Sequence, residues 1–302
     1  MKRLESIRVF FRKPEGAAYL FILPACLTLL LFIVAPLVMA MAISCLDLTI
    51  FLNSPMFVGL GNFKRLVADP RFWNALKNTF VFLVFQMPLQ VILGLLAAAF
   101  LSENSPYKKT LRSIYFLPTV CSLTAMGIVW SFLLDPNVGM IPYYLEQLGL
   151  PKMLFLRDPK MAMPSVIAMT AWKNFGMTMV IFVAGIQGIP RSYYEAAELD
   201  GAVVARRFFA ITVPLLVPTI GFCVITNTIG SLQVFDQIYV MTGGGPLFST
   251  ETLVLYIYDV GFKSQPFELS YASALAVVLF ILIMAISLGF KKYFAGKETV
   301  DL

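Results

Sequence analysis

The sequence predicts an all-α membrane protein, a polytopic bundle of six transmembrane helices. The mean hydropathy of the 302 residues is +0.81, and only 13% of them are charged. A soluble domain carries about 25% charged residues to cover its surface, so a bilayer suits this chain better as a solvent. A spanning helix needs about 20 mostly apolar residues, and six stretches qualify: Ala18–Cys45, Asn78–Ser102, Ser113–Leu134, Met161–Pro190, Phe208–Phe235 and Leu269–Phe290. These runs lack the alternation of membrane β-strands.

The first apolar stretch is predicted to be a retained anchor. Basic residues precede it, as they precede the core of a secretory signal peptide: Lys2, Arg3, Arg8, Arg12 and Lys13. The run from Tyr19 to Cys45 is uncharged throughout and exceeds the roughly 7–15 residues of a signal-peptide core. We therefore expect it to stay in the membrane.

The composition argues against several chemistries. The chain has no histidine, and its four cysteines form no CxxC pair, which disfavours a Cys/His metal site or a disulfide framework. No GxxxxGK[ST] phosphate loop occurs, and Gly243-Gly244-Gly245-Pro246 is expected to be a flexible external turn. No nucleophile–base set is present, so we expect a transport subunit rather than an enzyme. The basic residues are scattered, which argues against nucleic acid as a partner.

The cations of the loops predict the orientation. With the N-terminus in the cytoplasm, fourteen Lys and Arg residues lie in inside segments and eight in outside loops, with Lys173 inside the fourth span. Because cytoplasmic loops carry the excess of cations, both termini are predicted to be cytoplasmic. The segment between the fourth and fifth spans is then cytoplasmic as well.

That segment, residues 190–218, is predicted to form a short helical hairpin. Ser192 with Glu195 three residues later is a capping-box pattern, so a helix should begin there. Gly201 lets the chain turn, and Asp200 is placed to cap a second helix that carries Arg206 and Arg207. Pro214 and Pro218 follow closely and allow the next span to enter at an angle or with a kink. Such a hairpin fits a helix that docks in another protein's groove. An interfacial amphipathic hairpin without a partner explains the same pattern.

Several segments resemble a known family. Glu195-Ala196-Ala197, Asp200-Gly201-Ala202 and Ile211-x-Val213-Pro214 with Pro218 resemble the EAA signature of ATP-binding-cassette (ABC) importer permeases, although Val213 stands where leucine is usual. Further segments resemble the carbohydrate-uptake branch of that family, of the maltose and glycerol-phosphate type: Phe57–Phe63, Phe72–Thr79, Leu134–Gly139 and Phe235–Pro246. The resemblance extends from about residue 18 to about residue 290.

The resemblance implies a type I ABC importer permease fold and a mechanism. The chain would divide into a cytoplasmic segment (1–17), the first helix with its external loop (18–71), a permease core (72–290) that includes the EAA loop (190–218), and a cytoplasmic tail (291–302). Two separate ATPase subunits would use ATP and magnesium, this chain itself binding no cofactor. A second related permease, an extracytoplasmic sugar-binding protein and the lipid bilayer complete the implied partners, in a bacterial inner membrane. The residues implied to couple to the ATPase are Glu195, Ala196, Ala197, Asp200, Gly201, Arg206 and Arg207.

The fifth span is predicted to line the cargo pathway. Polar residues within spans are costly, so they usually face the bundle interior. The candidates for contact with a sugar are Asn227, Ser231, Gln233, Asp236 and Tyr239. Each also has a structural explanation: Asp236, for example, can anchor the outer end of the span. Gln86 and Gln90 form an i,i+4 pair that fits either a cargo contact or bonds between helices.

The sequence leaves open which group the Lys173 side chain contacts and which compound is the cargo. The Lys173 amino group has three candidate partners, namely a lipid phosphate, a backbone carbonyl or the cargo. An anionic cargo of the glycerol-phosphate type would need a cationic pocket, and a single lysine within the spans does not indicate one. A neutral sugar is therefore favoured. An ion-coupled carrier would carry intramembrane carboxylates, which these spans almost lack. A purely structural subunit would not need a polar fifth span. An importer of the same class with an amino acid or peptide as its cargo is the third alternative.

Overall fold

We describe a computed structural model in which residues 14–48 and 56–296 are placed. The predicted cytoplasmic cations Lys2, Arg3, Arg8, Arg12, Lys13 and Lys297 lie outside these described residues. The chain packs as two units, Met1–Val67 with Val260–Val277 and Ala68–Asp259 with Val278–Leu302. The functional residues named above all fall in the second unit.

The first unit begins with a long helix and ends at the start of the last one. Its elements are α1 (Pro14–Leu29), a π-helical turn (Leu30–Val34), α2 (Ala35–Ser44), β1 (Leu46–Asp47), β2 (Met56–Phe57) and most of α3 (Gly61–Ala68). The two strands form an antiparallel pair of two residues each, a small addition to the all-α prediction. The Asn62 side-chain amide donates to the carbonyls of Ser44 and Leu46, at 2.9 and 2.8 Å, and so ties α3 to the end of α2.

The second unit contains the remaining helices. In chain order they are α4 (Pro70–Leu101), α5 (Pro106–Val120), α6 (Leu123–Leu133), α7 (Met140–Gln147), a 3₁₀ turn (Phe155–Arg157), α8 (Ala162–Gln187), α9 (Arg191–Leu199), α10 (Val204–Arg207), a π-helical turn (Phe208–Thr212), α11 (Val213–Leu215), α12 (Val217–Leu232), α13 (Asp236–Met241), α14 (Leu253–Tyr258), a π-helical turn (Asp259–Lys263) and α15 (Leu269–Ala295). The last two elements run across the boundary between the units.

Four helices in the described part of the chain are long and apolar enough to cross a membrane. Two bent helix pairs, α5 with α6 and the Val204–Leu215 segment with α12, raise the number to as many as six. The helical membrane fold is therefore confirmed, but the third predicted span is wrong as a continuous helix, and the fifth is bent at its prolines. They bend by 94° and 69°.

The two bends have local causes. Pro118 lies in the last turn of α5, and Cys121 then takes an extended backbone (φ −67°, ψ 147°) before α6 begins. Pro214 and Pro218 flank the second bend at Leu216, as their spacing predicted. Proline removes a helical hydrogen bond and clashes with the preceding turn, so helices bend or end beside it.

The second span starts earlier than predicted. Helix α4 begins at Pro70, and the Asp69 carboxylate accepts a 2.9 Å hydrogen bond from the Arg71 amide nitrogen. An N-cap aspartate followed by proline at the first helical position is a strong helix start. The charged residues Arg71 and Lys77 excluded this turn from the hydropathy-based span, although it is helical.

The core of the second unit lies between α4 and α8. A Cβ atom built on Gly94 would come within 2.8 Å of the Thr178 side chain, so glycine permits the close approach of the two helices. One apolar cluster gathers around Phe82, Met169 and Ile238, and a second around Met179 and Phe182. The polar cavity described next is bordered by the same helices.

Candidate functional site

Two regions of the second unit hold the predicted functional residues, and the first is the helical hairpin of residues 190–218. Helix α9 runs from Arg191 to Leu199, and Gly201 turns the chain with φ +73°, as predicted. A left-handed backbone is accessible to glycine without the penalty that a Cβ imposes. Helix α10 then begins at Val204. The hairpin itself is therefore present as the sequence predicted.

The predicted helix caps of this hairpin are wrong. Pro190, not Ser192, precedes α9, and no side-chain hydrogen bond caps that end. Asp200 closes the C-terminal end of α9, while Val203 precedes α10. Pro190, whose ring fixes φ at about −65°, adopts an extended backbone here (φ −57°, ψ 134°), so the helix begins at Arg191 and the capping-box residues fall inside its first turns.

The residues predicted to couple to an ATPase lie on an open surface of the hairpin. Within the chain, Glu195, Ala196, Asp200, Gly201 and Arg206 are exposed, whereas Ala197 and Arg207 are half-buried. The Arg207 guanidinium lies 3.4 Å from the Glu198 carboxylate, which braces α10 against α9. The tip of the hairpin is apolar: Leu199, Val203 and Val204 are 90%, 67% and 73% exposed.

A hydrogen bond connects α9 to the start of the fifth span. The Tyr194 hydroxyl lies 2.9 Å from the Thr212 hydroxyl, and Thr212 is buried at the end of the π-helical turn Phe208–Thr212. π-Helical turns often occur at functional positions. The bend at Leu216 follows within one turn of Thr212, so a side chain of α9 contacts the region in which the span changes direction.

The second region is a polar cavity of about 210 Å³ between helices α4, α8 and α12. Six side-chain amides border it, together with two hydroxyls and one carboxylate. The lining residues are Phe82, Gln86, Gln90, Leu123, Thr170, Asn174, Asn227, Gly230, Ser231, Gln233, Val234, Phe235, Asp236 and Gln237. Such a set can donate and accept hydrogen bonds, and Phe235 adds an aromatic face.

Hydrogen bonds between amides hold the wall of the cavity. Gln90 is the centre of this network: its amide nitrogen donates to the Thr178 hydroxyl at 3.0 Å and to the Asn227 side-chain oxygen at 2.8 Å. The Gln86 amide nitrogen donates to the Gln90 oxygen at 2.5 Å, and the Ser231 hydroxyl donates to the Gln86 oxygen at 2.6 Å. Three helices are thereby joined at one level.

Four of the five residues predicted for the cargo pathway border this cavity, namely Asn227, Ser231, Gln233 and Asp236. Tyr239 does not line it; its ring stacks on Phe235, with centroids 5.3 Å apart. These residues do not lie on one continuous helix, because α12 ends at Leu232 and Asp236 opens the next helix. The break itself supplies Gln233 and Asp236 to the cavity.

Sequence reasoning left the role of the second and fourth spans open. Gln86 and Gln90 both bond neighbouring helices and border the cavity, so the two explanations offered by their spacing coexist. Thr170 and Asn174 of α8 also line the cavity. Their i,i+4 spacing was the available signal for a shared face.

The glycine-rich segment after α13 is tied down rather than flexible. The hydroxyls of Thr242 and Thr250 lie 2.7 Å apart, and Thr250 also donates to the Gly245 carbonyl at 2.8 Å. Gly244 is buried with φ +90°, and a Cβ there would come within 2.9 Å of Leu255. Glycine is therefore required for fit and conformation, and the predicted flexible turn is corrected.

The start of α4 anchors the segment around Glu251, which follows the glycine-rich segment in the chain. The Arg71 guanidinium contacts the Glu251 carboxylate at 2.7 and 3.0 Å and the Asp259 carboxylate at 2.6 Å. The Asn78 amide donates to the carbonyls of Phe248 and Glu251, at 2.9 and 3.0 Å. Asn78, in the segment Phe72–Thr79, is thus bonded to the chain that directly follows Phe235–Pro246.

Comparison with known proteins is consistent with this architecture. The chain matches the family described as "Binding-protein-dependent transport system inner membrane component" over residues 90–298. It is 38% identical to the lactose transport system permease protein LacF of Rhizobium radiobacter, covering 93% of this chain and 94% of that one. It is 34% identical to the sn-glycerol-3-phosphate transport system permease protein UgpA of Agrobacterium fabrum, covering 89% and 91%.

A solved structure shares the fold. A chain of a bacterial ABC transporter involved in the import of the acidic polysaccharide alginate superposes with a TM-score of 0.82, at 22% identity and with full coverage of both chains. The hairpin, the bent spans and the family match lead to one conclusion: the chain belongs to the inner membrane components of binding-protein-dependent transport systems, and it is a permease subunit of an ABC importer rather than an enzyme.

Proposed function

We propose that this permease forms one side of the translocation pathway for a neutral sugar. The observation that carries the proposal is the cavity lined by Asn227, Ser231, Gln233 and Asp236, with the Phe235 ring beside them. Amides and carboxylates bond sugar hydroxyls, and an aromatic face packs against the apolar side of a sugar ring. A site that combines a few placed polar groups with an aromatic side chain is typical of small-molecule binding.

The charges around the cavity favour a neutral cargo over an anionic one. Asp236 is the one ionisable group among the described lining residues. The Lys173 amino group hydrogen-bonds the Thr119 backbone carbonyl at 3.2 Å and is not among those lining residues. An anion would meet a carboxylate without a compensating cation from this chain, and unpaired buried charge is costly. The likeness to a lactose permease supports the same choice, whereas the likeness to a glycerol-phosphate permease is the reason to test that anion as well.

Cargo identity is tested by binding and uptake together. Uptake by the reconstituted importer, with its receptor, is measured for neutral di- and oligosaccharides and for sn-glycerol-3-phosphate. Each compound is also added as a competitor of the others. We expect alanine variants of Asn227, Ser231 or Asp236 to lower sugar uptake while expression stays normal. The Glu146→Ala variant, at an exposed position outside the cavity, is the matched control. Normal uptake in all cavity variants, or uptake of the phosphate alone, would contradict the proposal.

A second related permease is proposed to complete the pathway. The cavity of about 210 Å³ is smaller than the roughly 300–1,000 Å³ of typical small-molecule sites. In addition, Cys121 and Ser122 at the bend between α5 and α6 are exposed. Irregular backbone at membrane depth is tolerated only where protein covers it or where it borders a water-filled cavity. A second subunit opposite this face satisfies both requirements.

The hairpin of residues 190–218 is proposed to dock on a separate ATPase, two copies of which use ATP and magnesium. Support comes from its exposed apolar tip at Leu199 and Val203, next to Glu195 and Arg206. Exposed apolar patches bordered by polar residues often mark interaction sites. This docking surface would comprise Glu195, Ala196, Ala197, Asp200, Gly201, Arg206 and Arg207. It would lie in the cytoplasm with both termini.

The docking proposal is tested at Gly201. The Gly201→Ala variant meets no side chain within 4 Å, so its effect is confined to the backbone at φ +73°. The left-handed region costs an L-residue about 1–2 kcal/mol, which disfavours the turn that presents α9. We expect weaker retention of the ATPase on purification and reduced ATP-dependent uptake. Gly289→Ala, which also meets nothing within 4 Å, is the control. Unchanged uptake and ATPase retention would overturn the proposal.

A further inference from the structure

Lys173 lies near the middle of α8, a predicted membrane span, and it is only 6% exposed. The sequence left a lipid phosphate, a carbonyl and the cargo as candidate partners. In the structure, its amino nitrogen lies 3.2 Å from the backbone carbonyl oxygen of Thr119. Its helical neighbours Thr170 and Asn174 border the cavity, whereas Lys173 is not among the described residues that line it.

The position of Thr119 makes this bond informative. Helix α5 ends at Val120, so the Thr119 carbonyl is among the last four of the helix, which lack a partner within it. Water is absent from the hydrocarbon region, and an unsatisfied backbone group there is costly. A lysine amino group also complements the partial negative charge at a helix C-terminus. Lys173 therefore supplies a donor where the broken span needs one.

Two further contacts fix the same end of α5. The Thr119 hydroxyl donates to the Lys173 backbone carbonyl at 3.0 Å, so the two residues bond each other in both directions. One turn along α8, a Cβ atom on Gly176 would come within 3.0 Å of the Phe116 Cα atom. Glycine thus brings the backbones of α5 and α8 into direct contact. The end of α5 is held at two adjacent turns of α8.

The chain bends by 94° immediately after this anchored end. Cys121 and Ser122 form the link, and α6 begins at Leu123, which borders the cavity. Gly127, one turn into α6, would place a Cβ within 3.2 Å of Val240 in α13. A displacement of the end of α5 is therefore transmitted directly to one wall of the cavity.

We propose that Lys173 is a positioning residue: it caps the broken third span within the membrane and so fixes the cavity wall at Leu123. It does not contact cargo or lipid phosphate. The inference stands on the contacts between α5 and α8, and it holds whatever the cargo proves to be.

The test measures the bend itself. Nitroxide labels are placed at Lys109→Cys on α5 and Val129→Cys on α6, both exposed positions, in the full-length chain with its four native cysteines replaced by serine. Label-to-label distances are recorded in the reconstituted importer for Lys173→Met and Lys173→Arg, with the exposed Lys160→Met as control. Methionine keeps the apolar stem without a donor, and arginine keeps a donor. Sugar uptake is measured in parallel.

We expect the Lys173→Met distance distribution to broaden and shift, and the Lys173→Arg distribution to match that of the parent. Should the Met variant fail to insert, Thr119→Val removes the reciprocal hydroxyl bond and is expected to broaden the distribution less. An unchanged distribution in Lys173→Met would overturn the proposal. If uptake then fell while the distances held, a direct contact with cargo or lipid would replace it.

Discussion

At the residue scale, the amide network around Gln90 shows how one side chain joins three spans. Its amide nitrogen bonds Thr178 of α8 and Asn227 of α12, and its oxygen accepts from Gln86 within α4. Hydrogen bonds between membrane helices contribute about 0.6 kcal/mol on average and up to about 1.7. Gln90 is therefore important for stability as well as for the shape of the cavity.

We expect Gln90→Ala to lower the free energy of unfolding by about 1–3 kcal/mol, since two such interhelical bonds are lost. The measurement is a denaturant titration of the purified chain in detergent. Leu96→Ala, at an exposed position of the same helix, should have a smaller effect. Equal stability of Gln90→Ala and the parent chain would contradict the role of the network.

At the residue scale, the sequence indicates which polar side chains face the interior, while their contact with cargo stays a prediction. Asn227 and Ser231 turn inward because a polar group facing lipid is costly. The partners of Gln90 were not predictable, since they depend on the register of α4 against α8 and α12. The caps at Ser192 and Asp200 were wrong because Pro190 and Gly201 already determine where α9 begins and ends.

At the scale of elements, the contacts between the start of α4 and the segment around Glu251 combine charge with burial. The Arg71 side chain is 32% exposed, while those of Glu251 and Asp259 are 4% and 14% exposed. Arg71 also lies over the rings of Phe248 and Tyr256, at 4.8 and 4.7 Å from their centroids. One arginine thus pairs with two largely buried carboxylates.

Arg71→Met is expected to destabilise the chain by about 1–3 kcal/mol. Removing one partner of a fully buried ion pair costs about 3–5 kcal/mol, and the partial exposure of Arg71 reduces this. The measurement is the midpoint of thermal unfolding. Arg157→Met, which breaks the more exposed pair with Asp135, is the control and should change the midpoint less. If both variants unfold alike, the buried carboxylates do not depend on Arg71.

The bond from Tyr194 to Thr212 predicts a coupling defect. Tyr194→Phe removes one hydroxyl, and a hydrogen bond of this kind contributes about 1 kcal/mol. Because α9 then contacts the π-helical turn less firmly, we expect less sugar moved per ATP hydrolysed, with severalfold loss at most. Tyr193→Phe, at the exposed neighbouring position, is the matched control. The same transport-to-hydrolysis ratio in both variants would count against the connection.

Sequence reasoning located the elements better than it described their shape. The proline pair at 214 and 218 predicted the second bend correctly, because both prolines fall within one turn. Pro118 carried a similar signal for the first bend, yet the apolar run continues through it and hydropathy registers no break. The Asp69-Pro70 pair likewise signals the start of α4. The charges of Arg71 and Lys77 lower the local hydropathy, so the predicted span began later.

At the scale of the whole molecule, the unequal distribution of Lys and Arg between the two sets of loops predicts which set faces the cytoplasm. Leu199 in the hairpin and Leu247 in the glycine-rich segment are 90% and 86% exposed, so cysteines at these positions should react readily. In spheroplasts, an impermeant maleimide is expected to label Leu247→Cys but not Leu199→Cys. Inverted vesicles should give the opposite result. Labelling of Leu199→Cys from outside would reverse the proposed topology.

The global fold was predictable because membrane solvation restricts the chain to helices of a known minimum length. The type I permease fold and family rested instead on the motifs around Glu195 and Asp236, since hydropathy does not specify how spans are connected in space. The volume of the cavity and the network of amides within it required the structure.

The apolar tip of the hairpin has a consequence for cells that make this protein. On the proposed cytoplasmic side, Leu199, Val203 and Val204 would be in water until the proposed ATPase covers them. Large uncovered apolar surface invites aggregation, and chaperones and proteases continuously remove such species. Permease copies made in excess of the proposed ATPase subunits would therefore be degraded quickly. The amount of permease in the cell would then follow the amount of its partners without a dedicated regulator.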